Sequence, residues 1–164
     1  MSSNLHIAPF APGQESEVQN LILTIQRGEF GLPITAADQP DLADIPGFYQ
    51  SGCGNFWLAR RDGILAGTVA LKDIGESLCA LRKMFVAREH RGAAGGVAAA
   101  LLGAALDWSR SQAVRAIYLG TTERFLAAHR FYAKQGFAEI PREALPPSFP
   151  VMAVDTRFFH LPLA

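Results

Sequence analysis

Leu81-Arg82-Lys83-Met84-Phe85-Val86-Ala87-Arg88-Glu89-His90-Arg91-Gly92-Ala93-Ala94-Gly95-Gly96-Val97-Ala98-Ala99-Ala100-Leu101-Leu102 is the stretch on which the fold turns. A strand to about Val86 runs into a turn of Gly and Ala, and the turn runs into a helix reaching about Arg110. The first four N–H groups of such a helix have no partner inside it. With no bulky side chains there, a ligand can approach them closely. The helix dipole adds a partial positive charge, and Arg82, Lys83, Arg88 and Arg91 supply whole ones. Together these make an anion site suited to a pyrophosphate. Taken alone, the segment reads about as well as a tight strand–helix connection whose glycines serve only backbone geometry. A Rossmann fingerprint does not fit, because it needs G-x-G-x-x-G after a first strand and an acidic residue further on. A P-loop does not fit either, since no Gly-Lys-Ser/Thr follows Gly96.

Outward from this segment the chain reads as a mixed sheet. Upstream, Phe56–Arg60, Ile64–Leu71 and Leu78–Val86 are three strands joined by short turns, one of them Arg61-Asp62-Gly63, which implies an antiparallel meander. Leu5–Ala8 is a short strand ended by Pro9. Val18, Leu21, Ile22 and Ile25 recur at helical spacing, so about 14–27 is an amphipathic helix. Residues 28–54 are the least regular part, with five glycines and Pro33, Pro40 and Pro46, and a short helix starts near Pro40. Asp41 and Asp44 then read as helix-start acids. Downstream, Val114–Leu119 is a strand, Phe125–Gln135 a helix closed by Gly136, Phe137–Ile140 a strand, and Val151–Leu161 a last strand. Strand–helix–strand units in the second half demand parallel neighbours. The expected class is α/β (α+β): a mixed, mostly antiparallel twisted sheet of about six to seven strands flanked by helices.

Composition bounds the function. The 164 residues are 49% hydrophobic and 18% charged, enough to bury the core of one domain. Lys+Arg and Asp+Glu are both 15, so no global field would draw a nucleic-acid backbone. No apolar run approaches the ~20 residues needed to span a bilayer, and the N-terminus lacks the pattern of a secretion signal. A soluble, cytoplasmic protein without nucleic-acid or membrane partners is expected. Cys53 and Cys79 do not suit a disulfide scaffold, and the four histidines lack metal-ligand spacing, so no metal is expected.

A second segment, Ile117-Tyr118-Leu119-Gly120-Thr121-Thr122-Glu123-Arg124-Phe125-Leu126-Ala127-Ala128-His129-Arg130-Phe131-Tyr132-Ala133-Lys134-Gln135-Gly136-Phe137, places Tyr132 near the end of a short helix. A half-buried structural tyrosine is the plain reading. The Arg-Gly-x-x-Gly-Gly-Val-Ala turn, the Ala/Leu helix, a strand and then Ala-x-x-Phe-Tyr-x-x-x-Gly-Phe, in that order, resemble the GNAT superfamily of acyl-CoA N-acyltransferases. The motifs span residues 81–140, and the strand order is similar over nearly the whole chain, taken as one N-acetyltransferase-like domain, 1–164.

The resemblance implies acetyl-CoA as co-substrate. It implies that Arg91, Gly92, Ala94, Gly95, Gly96, Val97 and Ala98 hold the CoA pyrophosphate. The strand around Met84, Phe85 and Val86 would pair with the pantetheine arm, and Tyr132 would protonate the departing thiolate. Two departures stand out. Arg91 sits two residues earlier than the family's turn places it, and Phe125 stands where a family asparagine is frequent.

Acyl transfer to an amine also needs a proton acceptor. Glu29, in the irregular segment on the expected acceptor side, is the candidate base. Asp73, Glu76, Asp38, Asp41 and Asp44 are alternatives, and His90 and His129 read as structural or surface residues. Substrate selection falls to residues 28–54 and 141–151. Their aromatics, Phe30, Phe48, Tyr49, Phe56, Trp57 and Phe149, read first as core. The expected reaction is N-acetylation of a primary amine on a small molecule, amino acid or peptide N-terminus through a direct ternary complex. A non-catalytic CoA-binding or regulatory module is the alternative, a nucleotide-binding protein of another fold is a weaker one, and a homodimer is left open.

Overall fold

The computed structural model describes residues 4–91, 96–123 and 126–163. Seven strands form one sheet: β1 Leu5–Pro9, β2 Asn55–Arg61, β3 Ile64–Asp73, β4 Leu78–Val86, β5 Ala116–Thr121, β6 Ala138–Ile140 and β7 Arg157–Pro162. The α-helices are α1 Glu15–Leu23, α2 Ile45–Phe48, α3 Val97–Ser111 and α4 Leu126–Lys134. The strand order is β1-β2-β3-β4-β5-β7-β6. Only β4 and β5 pair in parallel, through α3, and every other neighbouring pair is antiparallel. None of the described helices is long and apolar enough to cross a membrane.

The first meander turn follows from sequence. Asp62 and Gly63 take φ of 52° and 83°, the left-handed pair that a two-residue hairpin requires. Side-chain alternation then sorts the sheet into two faces. Trp57, Val69, Leu81, Ile117 and Leu119 pack beneath α3 and α4, with Leu101, Leu102 and Tyr132. Phe56, Leu58 and Ala70 face the other way, against Val18 and Ile22 of α1 and Ile45 and Tyr49 at α2. Further along, Ala80, Ala116 and Phe158 lie under the 145–151 connection.

Three expectations change. The first helix does not run regularly to residue 27. It becomes a π turn at Thr24–Glu29, widening the backbone where Gly28 weakens helical preference. The last strand begins at Arg157, and residues 151–156 form a loop in which Asp155 N–H donates to the Met152 carbonyl. The expected parallel neighbour of β5 across α4 is displaced, because β7 inserts between β5 and β6.

A glycine is required at position 54. A Cβ there would lie 2.6 Å from the Leu71 carbonyl oxygen and 3.2 Å from the Asp73 nitrogen, both backbone. Backbone in a central strand cannot rotate away, so Gly54→Ala is expected to lose about 2–3 kcal/mol. At Gly28 nothing lies within 4 Å of a Cβ, so Gly28→Ala meets no clash and, as the control, should lose no stability. Urea midpoints of the two variants check this, and equal midpoints would refute it.

Candidate active site

The site begins where β4 and β5 part. Their pairing covers only Leu78↔Ala116, Cys79↔Ile117 and Ala80↔Tyr118. Beyond Ala80, β4 runs to Val86 with no β5 partner, so its backbone offers an open edge. On its other edge β4 pairs with β3, and the register shifts between Thr68↔Phe85 and Ala70↔Arg82. Lys83 and Met84 together stand opposite the single residue Val69, one residue more than regular pairing allows, and Lys83 takes a φ of 52°. The Thr68 hydroxyl donates to the Lys83 carbonyl at 2.7 Å and holds the bulge.

The bulge breaks the alternation of faces. Leu81, Met84 and Val86 pack on the α3 side. Arg82 and Lys83, though consecutive, both turn to the opposite side, as does Phe85. The sequence reading gave the charges of Arg82 and Lys83 to the diphosphate site. The structure points them away from α3, into a cavity of about 780 Å³. Its walls come from β4 (Ala80, Arg82, Lys83, Phe85), the β5 end (Gly120, Thr122), the π turn and the chain after it (Gln26, Leu32, Ile34), and the 149–156 loop (Phe149, Met152, Asp155).

Lys83 is anchored in a buried network. Its ammonium lies 2.5 Å from Gln39 Oε1 and 3.6 Å from Asp41 Oδ2. The Tyr49 hydroxyl donates to the same Asp41 oxygen at 2.5 Å. Gln39 and Gln26 exchange amide hydrogen bonds of 2.9 and 3.2 Å. Asp41, in the first turn of the 3-10 helix Pro40–Ala43 as expected, is in addition a buried partner of Lys83 and Tyr49, and Asp44 caps α2 by accepting from Gly47 N–H.

Burial lowers the Lys83 pKa from 10.5 to about 8, with Asp41 opposing and Arg82 assisting. A folded pKa below the unfolded one means the unfolded chain binds more protons between these values, so this contribution to stability rises with pH. From pH 7 to 9.5 it amounts to about 2 kcal/mol. Wild type should gain that much over Lys83→Met in urea titrations. Tyr49, whose hydroxyl burial pushes upward, has the reverse dependence above its ordinary pKa, which sets the upper end of the window. Parallel pH curves for the two proteins would refute the assignment.

On the other face, α3 opens on Gly96, which takes a φ of 66° and provides no side-chain cap. The first intrahelical bond is from Ala100 N–H to the Gly96 carbonyl. The N–H groups of Val97, Ala98 and Ala99 precede it and have no helical partner. Nothing lies within 4 Å of where a Gly96 Cβ would be. This bare opening fits a diphosphate. Gly92, Ala94 and Gly95, named with it from the sequence, lie outside the described residues, as does Phe125.

Arg91 and Glu29, expected as phosphate ligand and base, are brought together. Arg91 Nη2 meets Glu29 Oε1 at 2.7 Å and Nη1 meets Oε2, while Nε donates to the Val86 carbonyl at 2.8 Å. The hydrogen bond from Arg91 holds the Glu29 carboxyl below the usual range. A carboxylate so paired is a weakened base, and Glu29 does not line the cavity. The pair instead ties the π turn to the end of β4.

Tyr132 sits on α4, 6% exposed, its ring 5.7 Å from Phe137, 5.8 Å from Phe131 and 6.1 Å from Phe159. Its hydroxyl bonds to none of the described residues. Burial pushes its pKa up, so it stays protonated. One turn earlier, Arg157 donates to His129 Nδ1 at 3.0 Å. Arginine cannot accept, so Nε2 carries the hydrogen and donates to the Thr122 carbonyl at 2.9 Å. His129 is thus a structural fastening of α4 to the end of β5.

A splayed parallel pair, a bulged strand and a bare helix opening form one connected arrangement, and the family comparison agrees with it. Residues 20–137 match the acetyltransferase (GNAT) family. The chain belongs to this family. An acetyltransferase of the GNAT family from Staphylococcus aureus Mu50 is 36% identical and superposes with a TM-score of 0.93, over 98% of this chain and 100% of that one. An N-acetylaspartate synthetase from Xenopus tropicalis is 33% identical over 109 residues, 65% of this chain and 40% of that protein. The chain spans less than half the length of such curated relatives. An N-acetylglutamate synthase from Neisseria gonorrhoeae, solved with coenzyme A and N-acetyl-glutamate, shares the fold at a TM-score of 0.74, over all of this chain and 36% of that one. At 17% identity it is evidence for the GNAT fold alone. Among the described residues no group of three or more His, Cys, Asp or Glu could hold a metal ion.

Asp155 is the charged group the sequence reading passed over. Its segment was read as strand, where a lone acid has no address. The prolines at 146, 147 and 150 mark the connection before it as loop, but Val151-Met152-Ala153-Val154-Asp155-Thr156 contains no proline or glycine to extend that reading to Asp155.

Proposed function

We propose that the chain transfers an acetyl group from acetyl-CoA to a primary amine in a direct ternary complex. The observation that carries this is the open edge of β4 from Leu81 to Val86. The bare start of α3 follows beyond its end, and the cavity flanks it on the other face of the sheet.

Backbone near Met84, Phe85 and Val86 binds the pantetheine arm as an added strand. The N–H groups of Gly96, Val97 and Ala98 hold the diphosphate. A backbone N–H near Phe85 or Val86 polarises the thioester carbonyl. The amine attacks that carbon from the cavity side, the C–N bond forms and the C–S bond breaks. Tyr132 supplies the proton to the thiolate. A small amine, including an amino acid, suits a cavity of about 780 Å³.

Calorimetry with CoA and acetyl-CoA, followed by thiol release over an amine panel, tests the reading. Micromolar CoA binding with amine-dependent release is expected. No binding up to millimolar CoA would remove the proposal. Binding without release from any amine would leave the non-catalytic alternative.

A further inference from the structure

Four charged groups line the cavity: Asp38, Arg82, Lys83 and Asp155. Asp38 is exposed at its rim and accepts from the Thr35 N–H and hydroxyl at 2.9 and 3.0 Å, and Lys83 is held by Asp41 and Gln39, so two remain that the transfer chemistry above does not use. Arg82 is one. No carboxylate lies within ion-pair distance of it among the described residues. Its guanidinium lies 5.7 and 5.9 Å from the Phe48 and Tyr49 ring centres, and Nη2 touches Met152 Sδ at 3.8 Å. Its neighbour Lys83 already has Asp41 and Gln39. Arg82 is thus a positive charge on an aromatic and thioether platform, facing the cavity and uncompensated.

Asp155 is the other. Its Oδ2 accepts from Met152 N–H at 2.9 Å, and its carboxylate rests against the backbone of Gly120, where a Cβ would come within 2.5 Å of Oδ2. Burial raises its pKa, against the Met152 N–H and the charges of Arg82 and Arg142. Arg82 and Asp155 touch the same residue, Met152, yet do not form an ion pair with each other. The surrounding wall is largely apolar, with Leu32, Ile34, Phe85 and Phe149. An unpaired cation and an unpaired carboxylate held apart in such a cavity complement a ligand bearing both opposite charges.

We propose that the acceptor is a free amino acid, its carboxylate held by Arg82 and its ammonium deprotonated by Asp155. This rests on the acetyl-transfer reading and names the substrate class of that site. The ammonium gives one proton to Asp155, which passes it to water. The neutral amine forms the C–N bond. When the C–S bond breaks, a second amine proton is lost, and the thiolate leaves as thiol with the proton from Tyr132, which is then replenished. One proton is released per amide formed. A peptide N-terminus lacks the α-carboxylate and would leave Arg82 without a partner.

The test compares the twenty free amino acids with their carboxamides at saturating acetyl-CoA, by thiol release. Wild type should favour its best amino acid over that carboxamide at least tenfold in kcat/KM, from a charge-assisted hydrogen bond. Arg82→Gln should erase that ratio by lowering kcat/KM for the amino acid towards that of its carboxamide. Asp155→Asn should lower kcat for both acceptors by about 10²–10⁴ and abolish the ascending limb of the pH profile. Gly120→Ala keeps every charge but displaces the carboxylate, so kcat should fall while CoA affinity stays put.

Equal use of acids and amides by wild type, or an unchanged ratio in Arg82→Gln, would overturn the carboxylate site and leave acetyl transfer standing. Full kcat in Asp155→Asn would overturn its role as base. If no amine releases thiol, calorimetry of the same amino acids with the CoA-saturated protein decides. Binding that Arg82→Gln abolishes upholds the recognition site while the transfer reading fails. Absence of binding to all twenty overturns the proposal.

Discussion

Tyr132→Phe should bind CoA as wild type does and lose about 10²–10⁴ of its turnover. The substitution removes one oxygen and keeps the ring among Phe131, Phe137 and Phe159. The hydroxyl bonds to none of the described residues, so its loss leaves no orphaned partner there. Stability near neutral pH should be close to unchanged. Burial keeps the folded phenol protonated, so no loss of rate below pH 10 should trace to this group. The sign for stability follows. A folded pKa above the unfolded value gives a contribution intact below about pH 10 and lost as pH rises past it. Tyr132→Phe should therefore resist alkali better than wild type in urea titrations. Full thiol-release rates near neutral pH would show that the thiolate is protonated elsewhere.

How much could be read in the chain beforehand depends on the distance over which each feature is encoded. The hairpin at Asp62-Gly63, the meander and the strand–turn–helix at 81–102 are local, and hydrophobic period with turn chemistry suffices for them. The β4 bulge is not local. It arises from a register shift against β3, and nothing in Arg82-Lys83 announces that both side chains leave the same face. Hence these charges were assigned to the wrong side of the sheet. The pairing of Glu29 with Arg91 joins residues 62 apart in sequence, through a π turn that periodicity reads as continuing helix. Pro40 marks Asp41 correctly as a helix-start acid, but that local reading misses its second role. Its partners Lys83 and Tyr49 come from other elements. Family resemblance could supply a role for Tyr132, but the position of Asp155 follows from a proline-rich loop folding back on Gly120.

Gly96→Glu should abolish measurable CoA binding while the sheet stays folded, and the two effects have separable causes. Gly96 sits at φ 66°, so any side chain costs about 1–2 kcal/mol in backbone strain. Gly96→Ala bears that same strain with a single carbon, in a position where nothing lies within 4 Å. The alanine variant therefore measures strain alone, and its CoA affinity should fall only slightly. Glutamate adds a carboxylate at the start of α3, where the dipole and free N–H groups favour a negative charge. The fold gains from that charge what the nucleotide loses, because the carboxylate takes the N–H groups meant for the diphosphate and repels it. Hydrogen bonds to charged groups are worth roughly 1.5–3 kcal/mol each. Loss of two of them weakens CoA binding by about 10²–10⁴. Calorimetry of both variants, with circular dichroism to confirm folding, tests this. Wild-type affinity in Gly96→Glu would place the diphosphate somewhere other than the opening of α3, and the assignment of β4's open edge to pantetheine would fall with it.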